Sequence, residues 1–176
     1  MTAQSVEATV TFLEMTRAPG RQVPPPGNMR LALLQAVRPS LHFYRYLYNT
    51  VGGAYCWVDR KYLDDETLAG LIHRDEVEVF VAYREGNPAG FFELNRASPR
   101  EVWLTYFGLM PDQYGFGLGK WMLSAAIDRA WATEPDRICV ETCTLDHPRA
   151  LPLYQKLGFT PFAQKHKVVQ LAVDQG

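Results

Sequence analysis

The sequence predicts an α/β fold with a parallel βαβ core, and two observations carry that prediction. In the second half, strand-like and helix-like runs follow the order strand, glycine loop, helix, strand, helix. Parallel neighbours need such a crossover helix packed on the sheet. Just before them, two β-rich runs flank Gly86-Asn87-Pro88, a hairpin-like turn. At 176 residues the chain can bury one core, and residues 1–176 are read as a single domain.

Each element has a local reason. Residues 5–16, SVEATVTFLEMT, are rich in β-branched side chains and read as a first strand. RAPGRQVPPPGN, 17–28, is loop because Pro and Gly dominate it. The run MRLALLQAV is too short for periodicity to choose between strand and helix. Pro39 fits the first turn of a helix through SLHFYRYLYNT that Gly52 and Gly53 end. Asp64 caps a second helix over 64–72, with Leu68, Leu71 and Ile72 on one face. Strands follow at 77–85 and 89–97. A nearly all-apolar run at 101–110 reads as a central strand covered on both sides. A helix spans roughly 118–132, a strand 137–145, a helix 147–158 stopped by Gly158, and a last strand 167–173.

Composition narrows the partners. Lys plus Arg total 18 against 19 Asp plus Glu, so no sequence-wide basic excess points to nucleic acid. Three cysteines without framework spacing fit free thiols in a reducing compartment. The opening MTAQSVEATV lacks the charged start and apolar core of a secretion signal. No apolar run approaches the roughly 20 residues of a membrane span. The expectation is a cytoplasmic protein with neither nucleic acid nor membrane as partner.

The stretch GLMPDQYGFGLGKWML, 108–123, sets three glycines at alternate positions ahead of a lysine and a helix. A helix start presents free N–H groups and the positive end of its dipole, and glycine lets a large anion come close. Residues 115–120 therefore form a candidate cradle for a phosphate or pyrophosphate. Two known cradles do not match. In G-x-G-x-x-G the third glycine falls one residue later than Gly119. A P-loop would need Gly at Tyr114 and Ser or Thr at Trp121. The bland alternative is a glycine turn that only lets helix and strand pack closely.

Two separated pieces, YFGLMPDQYGFGLGKWML and DHPRALPLYQKLGF, occur in an order that resembles the GNAT superfamily of N-acetyltransferases. The likeness is close over 106–159 and loose over 1–60. It implies a mixed, strongly twisted sheet of about six to seven strands with helices on both faces, α/β or α+β by scheme. Two central parallel strands would splay, and acetyl-CoA would lie in the gap as co-substrate. Residues 77–173 would form the cofactor-binding core and 1–60 a variable acceptor-side region. Backbone at Phe107, Gly108 and Leu109 would pair with the pantetheine. The pyrophosphate would rest on the amides of Gly115, Phe116, Gly117, Leu118, Gly119 and Lys120, with His147 as a polar contact at a helix start. Tyr114 stands where the family usually has Gln or Arg.

Acetyl transfer to an amine requires a base for the amine and an acid for the departing thiolate. The resemblance makes Tyr154, in LYQKLGF, the candidate acid, and a phenol is well matched to a thiol. The base is open. Some relatives carry Glu at the position of Thr142, and neighbouring Glu141 should face the opposite way on a strand. Glu93, an acid in the apolar run FFELN, is the named candidate. Its bland reading is an ion pair with Arg96 or Arg100; water relayed by Tyr106 is another route, and His147, a polar contact first, is a base second. Pro152 removes one hydrogen bond from the helix of Tyr154, predicting a local bend.

A metal is not expected. Cys139, Cys143 and His147 are four apart, about 13 Å along a strand, too far for ligands about 2.3 Å from one zinc. The acceptor is a small-molecule or peptide amine. Tyr44, Tyr46 and Tyr106 are candidate walls, and Asp59 or Glu93 would favour a cation. The bland reading makes these aromatics core or dimer contacts, and a homodimer stays open. The rival functions are an acyl-CoA-binding sensor or partner module without efficient catalysis, and a nucleotide-binding protein.

Overall fold

A computed structural model describes residues 4–171. Its elements run β1 Gln4–Met15, β2 Leu31–Gln35, α1 Leu41–Gly52, α2 Asp65–Ile72, β3 Val77–Arg84, β4 Asn87–Asn95, β5 Glu101–Leu109, α3 Leu118–Trp131, β6 Arg137–Cys143, α4 Ala150–Lys156 and β7 Thr160–Leu171. The strands form one seven-stranded sheet in the order β2-β3-β4-β5-β6-β1-β7. Only β5 and β6 pair in parallel, joined by α3 as the crossover.

Alternation along the strands divides the core between two faces. Phe80, Phe92 and Leu94 pack with Met122, Leu123 and Ile127 of α3. Val79, Val81 and Phe91 pack with Tyr44, Leu47 and Tyr48 of α1 and Leu68 of α2. Period two on the strands and period 3.6 on the helices put each apolar set on its own side.

The two parallel strands separate partway along. Pairing runs from Glu101↔Arg137 to Leu104↔Val140, yet β5 continues to Leu109 and β6 to Cys143. At the separation point β5 carries a bulge: Glu93 faces Tyr106 and Leu94 faces Leu104, leaving Thr105 as the extra residue. A bulge bends and twists its strand, so β5 turns with β4 and away from β6. Arg137 closes the joined end, bonding Glu101 of β5 at 2.9 Å and Glu14 of β1 at 2.7 Å.

Several expectations shift. The ambiguous run 29–37 contributes edge strand β2, antiparallel to β3. The first strand lies inside the sheet, antiparallel to both β6 and β7. The hairpin turns at Glu85 and Gly86, both with positive φ, so Asn87 and Pro88 already belong to β4. Positive φ at both central residues is the turn geometry that matches strand twist. The helix of Tyr154 begins at Ala150, so Pro152 falls in the first turn, where no N–H owes a partner; the predicted loss of a hydrogen bond does not arise. The last strand begins at Thr160, and positions 172 and 173 of the predicted strand lie outside the described residues. No helix among the described residues is long and apolar enough to cross a membrane.

Candidate active site

The divergence of β5 and β6 opens a cavity of about 450 Å³, within the range of roughly 300–1,000 Å³ usual for small-molecule sites. Its floor is Leu104 to Leu109 on one side and Val140 to Cys143 on the other. Beyond Leu104 the edge of β5 facing β6 has no strand beside it, so its backbone groups can take up an extended ligand as a further strand would. Gly108 keeps this strand bare on the α1 side. A Cβ there would lie 2.4 Å from Val51 Cγ1, so only glycine lets the end of α1 approach.

The glycine loop forms the cavity mouth. Gly115 and Gly117 have φ of 85° and 76°, the left-handed region that side chains avoid. Gly117 is the N-cap of α3 and offers no side-chain cap, and the first turn holds no acid. Helix α2 is built oppositely: Asp64 accepts from the Thr67 amide at 2.8 Å, and Asp65 and Glu66 follow. One helix start is satisfied by its own carboxylates; the other presents free amides and Lys120 to the cavity. Arg149 and Lys167 add cations to the same lining. Phe116 alone of residues 115–120 is absent from the lining, its ring instead lying under Arg84 at 3.9 Å.

On the other side, Tyr154 reaches the cavity from α4, 5% exposed, edge-on to Phe107 at 6.1 Å. Burial, and then the nearby Asp146 charge, push its hydroxyl well above the ordinary phenol range. Asp146 was not singled out from the sequence. It lines the cavity and accepts from Thr142 Oγ1 at 2.7 Å, from the Cys143 amide at 2.8 Å and from Trp57 Nε1 at 3.4 Å. Thr142 is buried while Glu141 is exposed, as strand alternation requires.

The predicted acceptor wall needs correction. Tyr106 does line the cavity, with its centroid 5.0 Å from that of Trp57. Tyr44 does not: it is fully buried in the core and donates its hydroxyl to Glu93 Oε2 at 2.7 Å. Tyr46 is 47% exposed and borders a separate depression with Arg84 and Asp112. From the end of α1 and the loop after it, the residues that line the cavity are Val51, Tyr55, Cys56, Trp57 and Asp59.

Glu93 is fully buried and is not part of the cavity lining. Its ion-pair partner is Arg60, at 2.6 Å, with the guanidinium 4.7 Å from the centre of the Tyr106 ring. Arg60 also donates to the Tyr44 hydroxyl. Arg96 and Arg100 pair elsewhere, with Glu78 and Asp136. Glu93 Oε1 and Thr105 Oγ1 have no hydrogen-bond partner among the described residues.

His147 lines the cavity between two tyrosines, its ring 5.1 Å from Tyr114 and 5.6 Å from Tyr55. The two tyrosine hydroxyls are 2.9 Å apart. This cluster bridges the α1–α2 segment, the glycine loop and the β6–α4 turn. The departure at Tyr114 therefore has a role, as a side-chain tie across the mouth. Cys139 is buried and Cys143 half-buried, and among the described residues no three His, Cys, Asp or Glu side chains gather as a metal site.

The model of the acetyltransferase (GNAT) family matches residues 44–159. A GCN5-related N-acetyltransferase from Sphaerobacter thermophilus superposes with a TM-score of 0.67 at 13% identity, over 95% of this chain and 53% of that one. A second such protein, from Kribbella flavida, gives 0.59 at 15% identity, over 95% of this chain and 60% of that one. An aminoglycoside acetyltransferase from an uncultured soil metagenomic sample, solved with trehalose and with sisomicin, gives 0.59 at 17% identity, over 72% of this chain and 86% of that one. This chain thus spans little more than half the length of the first two. Comparison with curated proteins gives no match. At these identities the structures share the fold alone, whereas the family model covers well over half of the sequence, through both the glycine loop and Tyr154: the chain belongs to the GNAT family of acetyltransferases.

Proposed function

We propose that the protein moves an acetyl group from acetyl-CoA to a primary amine by direct attack in a ternary complex. One observation carries the reading: an uncapped helix start with Lys120, an open strand edge and a buried tyrosine all line one cavity. That set fits the coenzyme from end to end. The amides at 117–120, and Gly115 before them, would hold the pyrophosphate; the edge of β5 at Phe107 to Leu109 would hold the pantetheine; Arg149 and Lys167 supply further positive charge.

Tyr154 is the proposed acid. Its hydroxyl is held protonated by burial and by Asp146, which is the state a proton donor to a thiolate must have. We assign Glu93 to anchoring Arg60 beneath Tyr106 rather than to proton transfer, because its carboxylate is taken up inside the core. The acceptor would enter along Tyr55, Trp57 and Asp59. Aromatic faces and a carboxylate there suit an ammonium with an apolar body. An aminoglycoside, the substrate class in the name of one structural neighbour, shares the ammonium but not the apolar body, so it would engage Asp59 more than the rings.

Thermal shift tests the coenzyme: acetyl-CoA should raise the melting temperature, and ATP or NAD should not. Thiol release with a panel of amines tests turnover and separates an enzyme from an acyl-CoA sensor. Tyr154→Phe should slow turnover about 100-fold or more while acetyl-CoA still stabilises the fold. Undiminished turnover removes Tyr154 from the mechanism.

A further inference from the structure

We propose that Asp146 is the catalytic base that takes the first proton from the acceptor's ammonium. The inference rests on the acetyltransferase reading and deepens it by naming the group that reading leaves open.

Three carboxylates line the cavity: Asp59, Glu141 and Asp146. Only Asp146 is fixed in orientation from inside it. Its Oδ2 accepts from the Thr142 hydroxyl at 2.7 Å and the Cys143 amide at 2.8 Å, so one oxygen is moored to the end of β6. Its Oδ1 has one long contact, 3.4 Å to Trp57 Nε1. A carboxylate offers about four acceptor positions, so Oδ1 keeps capacity for a ligand proton. Trp57 belongs to the acceptor wall with Tyr106, so Oδ1 sits where that wall meets the end of β6. Tyr154 is close enough for the Asp146 charge to act on its hydroxyl. One negative group thus stands near both proton transfers: it draws a proton off the amine, while burial, the larger influence on Tyr154, keeps the phenol protonated without it.

The protons balance. Asp146 accepts one from the ammonium, directly or through one water, and releases it to solvent. The free amine attacks the thioester carbonyl; the new C–N bond forms and the C–S bond breaks. Tyr154 gives its proton to the departing thiolate and regains one from the nitrogen. The net products are the amide, CoA thiol and one proton.

A base that serves only to discharge an ammonium is dispensable when the acceptor is already neutral. The test is therefore kcat/KM for wild type, Asp146→Asn and Thr142→Val, with benzylamine as the strongly basic probe and trifluoroethylamine as the weakly basic one. Thermal shift with acetyl-CoA monitors folding and coenzyme binding in each variant. Asp146→Asn should lose about 100-fold with benzylamine and under about 3-fold with trifluoroethylamine. Thr142→Val, which removes one of the two donors to Oδ2 but keeps the charge, should show a smaller loss with the same dependence on amine basicity. Equal losses on both amines, or none, in a variant that still binds acetyl-CoA would overturn the role of Asp146 alone. A wild type that acetylates no amine at all would overturn the enzyme reading, and the role of Asp146 with it.

Discussion

Removing the carboxylate of Glu93 tests whether that group is structural. Glu93 is 0% exposed and Arg60 only 11%, with 2.6 Å between them. Burial pushes the guanidinium towards losing its charge, and Glu93 together with Tyr44 and Tyr106 more than offsets it, so Arg60 stays charged. Glu93→Leu would leave that cation without its carboxylate partner and the Tyr44 hydroxyl without its acceptor in the core. Breaking one side of a buried pair typically costs about 3–5 kcal/mol. Against a total stability of about 5–15 kcal/mol, this removes a large share. For a domain of this size the melting temperature should fall by roughly 6–20 °C. The assay is urea unfolding of wild type, Glu93→Leu, Arg60→Met and the double variant. The double variant should recover most of the loss, because it buries neither charge. A single-variant loss under about 1 kcal/mol, or a double variant no better than the singles, would refute the buried-pair account. Below the melting transition, turnover of Glu93→Leu should fall far less than that of Tyr154→Phe; an equal or larger fall would return Glu93 to the chemistry.

Two further outcomes follow from the same geometry. Cys56 and Cys143 are half-buried and line the cavity, while Cys139 is buried away from it. Iodoacetamide at neutral pH should modify the first two and spare Cys139, and acetyl-CoA should slow both reactions; mass spectrometry of labelled peptides checks this. Glu101 is held below the usual carboxylate range by the Trp103 indole and then Arg137. Its stabilisation should be full above its ordinary value of 4.5 and lost as pH falls through the lower folded value. Glu101→Gln should therefore be less stable than wild type near about pH 7 and converge with it towards about pH 3 in urea melts.

Much of the fold was legible because its signals are local. β-Branched runs gave the strands, Asp64 gave a cap, and three alternating glycines before Lys120 gave the start of α3. What stayed hidden depends on distant pairing. Nothing in residues 4–15 says that this strand will lie between β6 and β7. The partner of Glu93 lies 33 residues back in the chain at Arg60, where no periodicity points to it. In α1 both Tyr44 and Tyr46 read as candidate walls, and only the packed sheet decides that Tyr44 is core and Tyr46 is surface. Trp57 and Asp59 sit on an irregular segment with no period to read. Asp146 was inside the quoted motif, and its importance appears only when Thr142 and Trp57 are seen to hold it.

The most direct test of the account is a crystal structure of the acetyl-CoA complex. The pyrophosphate oxygens should lie about 3 Å from backbone nitrogens within residues 115–120, with the thioester between the open edges of β5 and β6, beside Tyr154. Phosphates bound elsewhere, with the amides of that helix start facing only water, would contradict it.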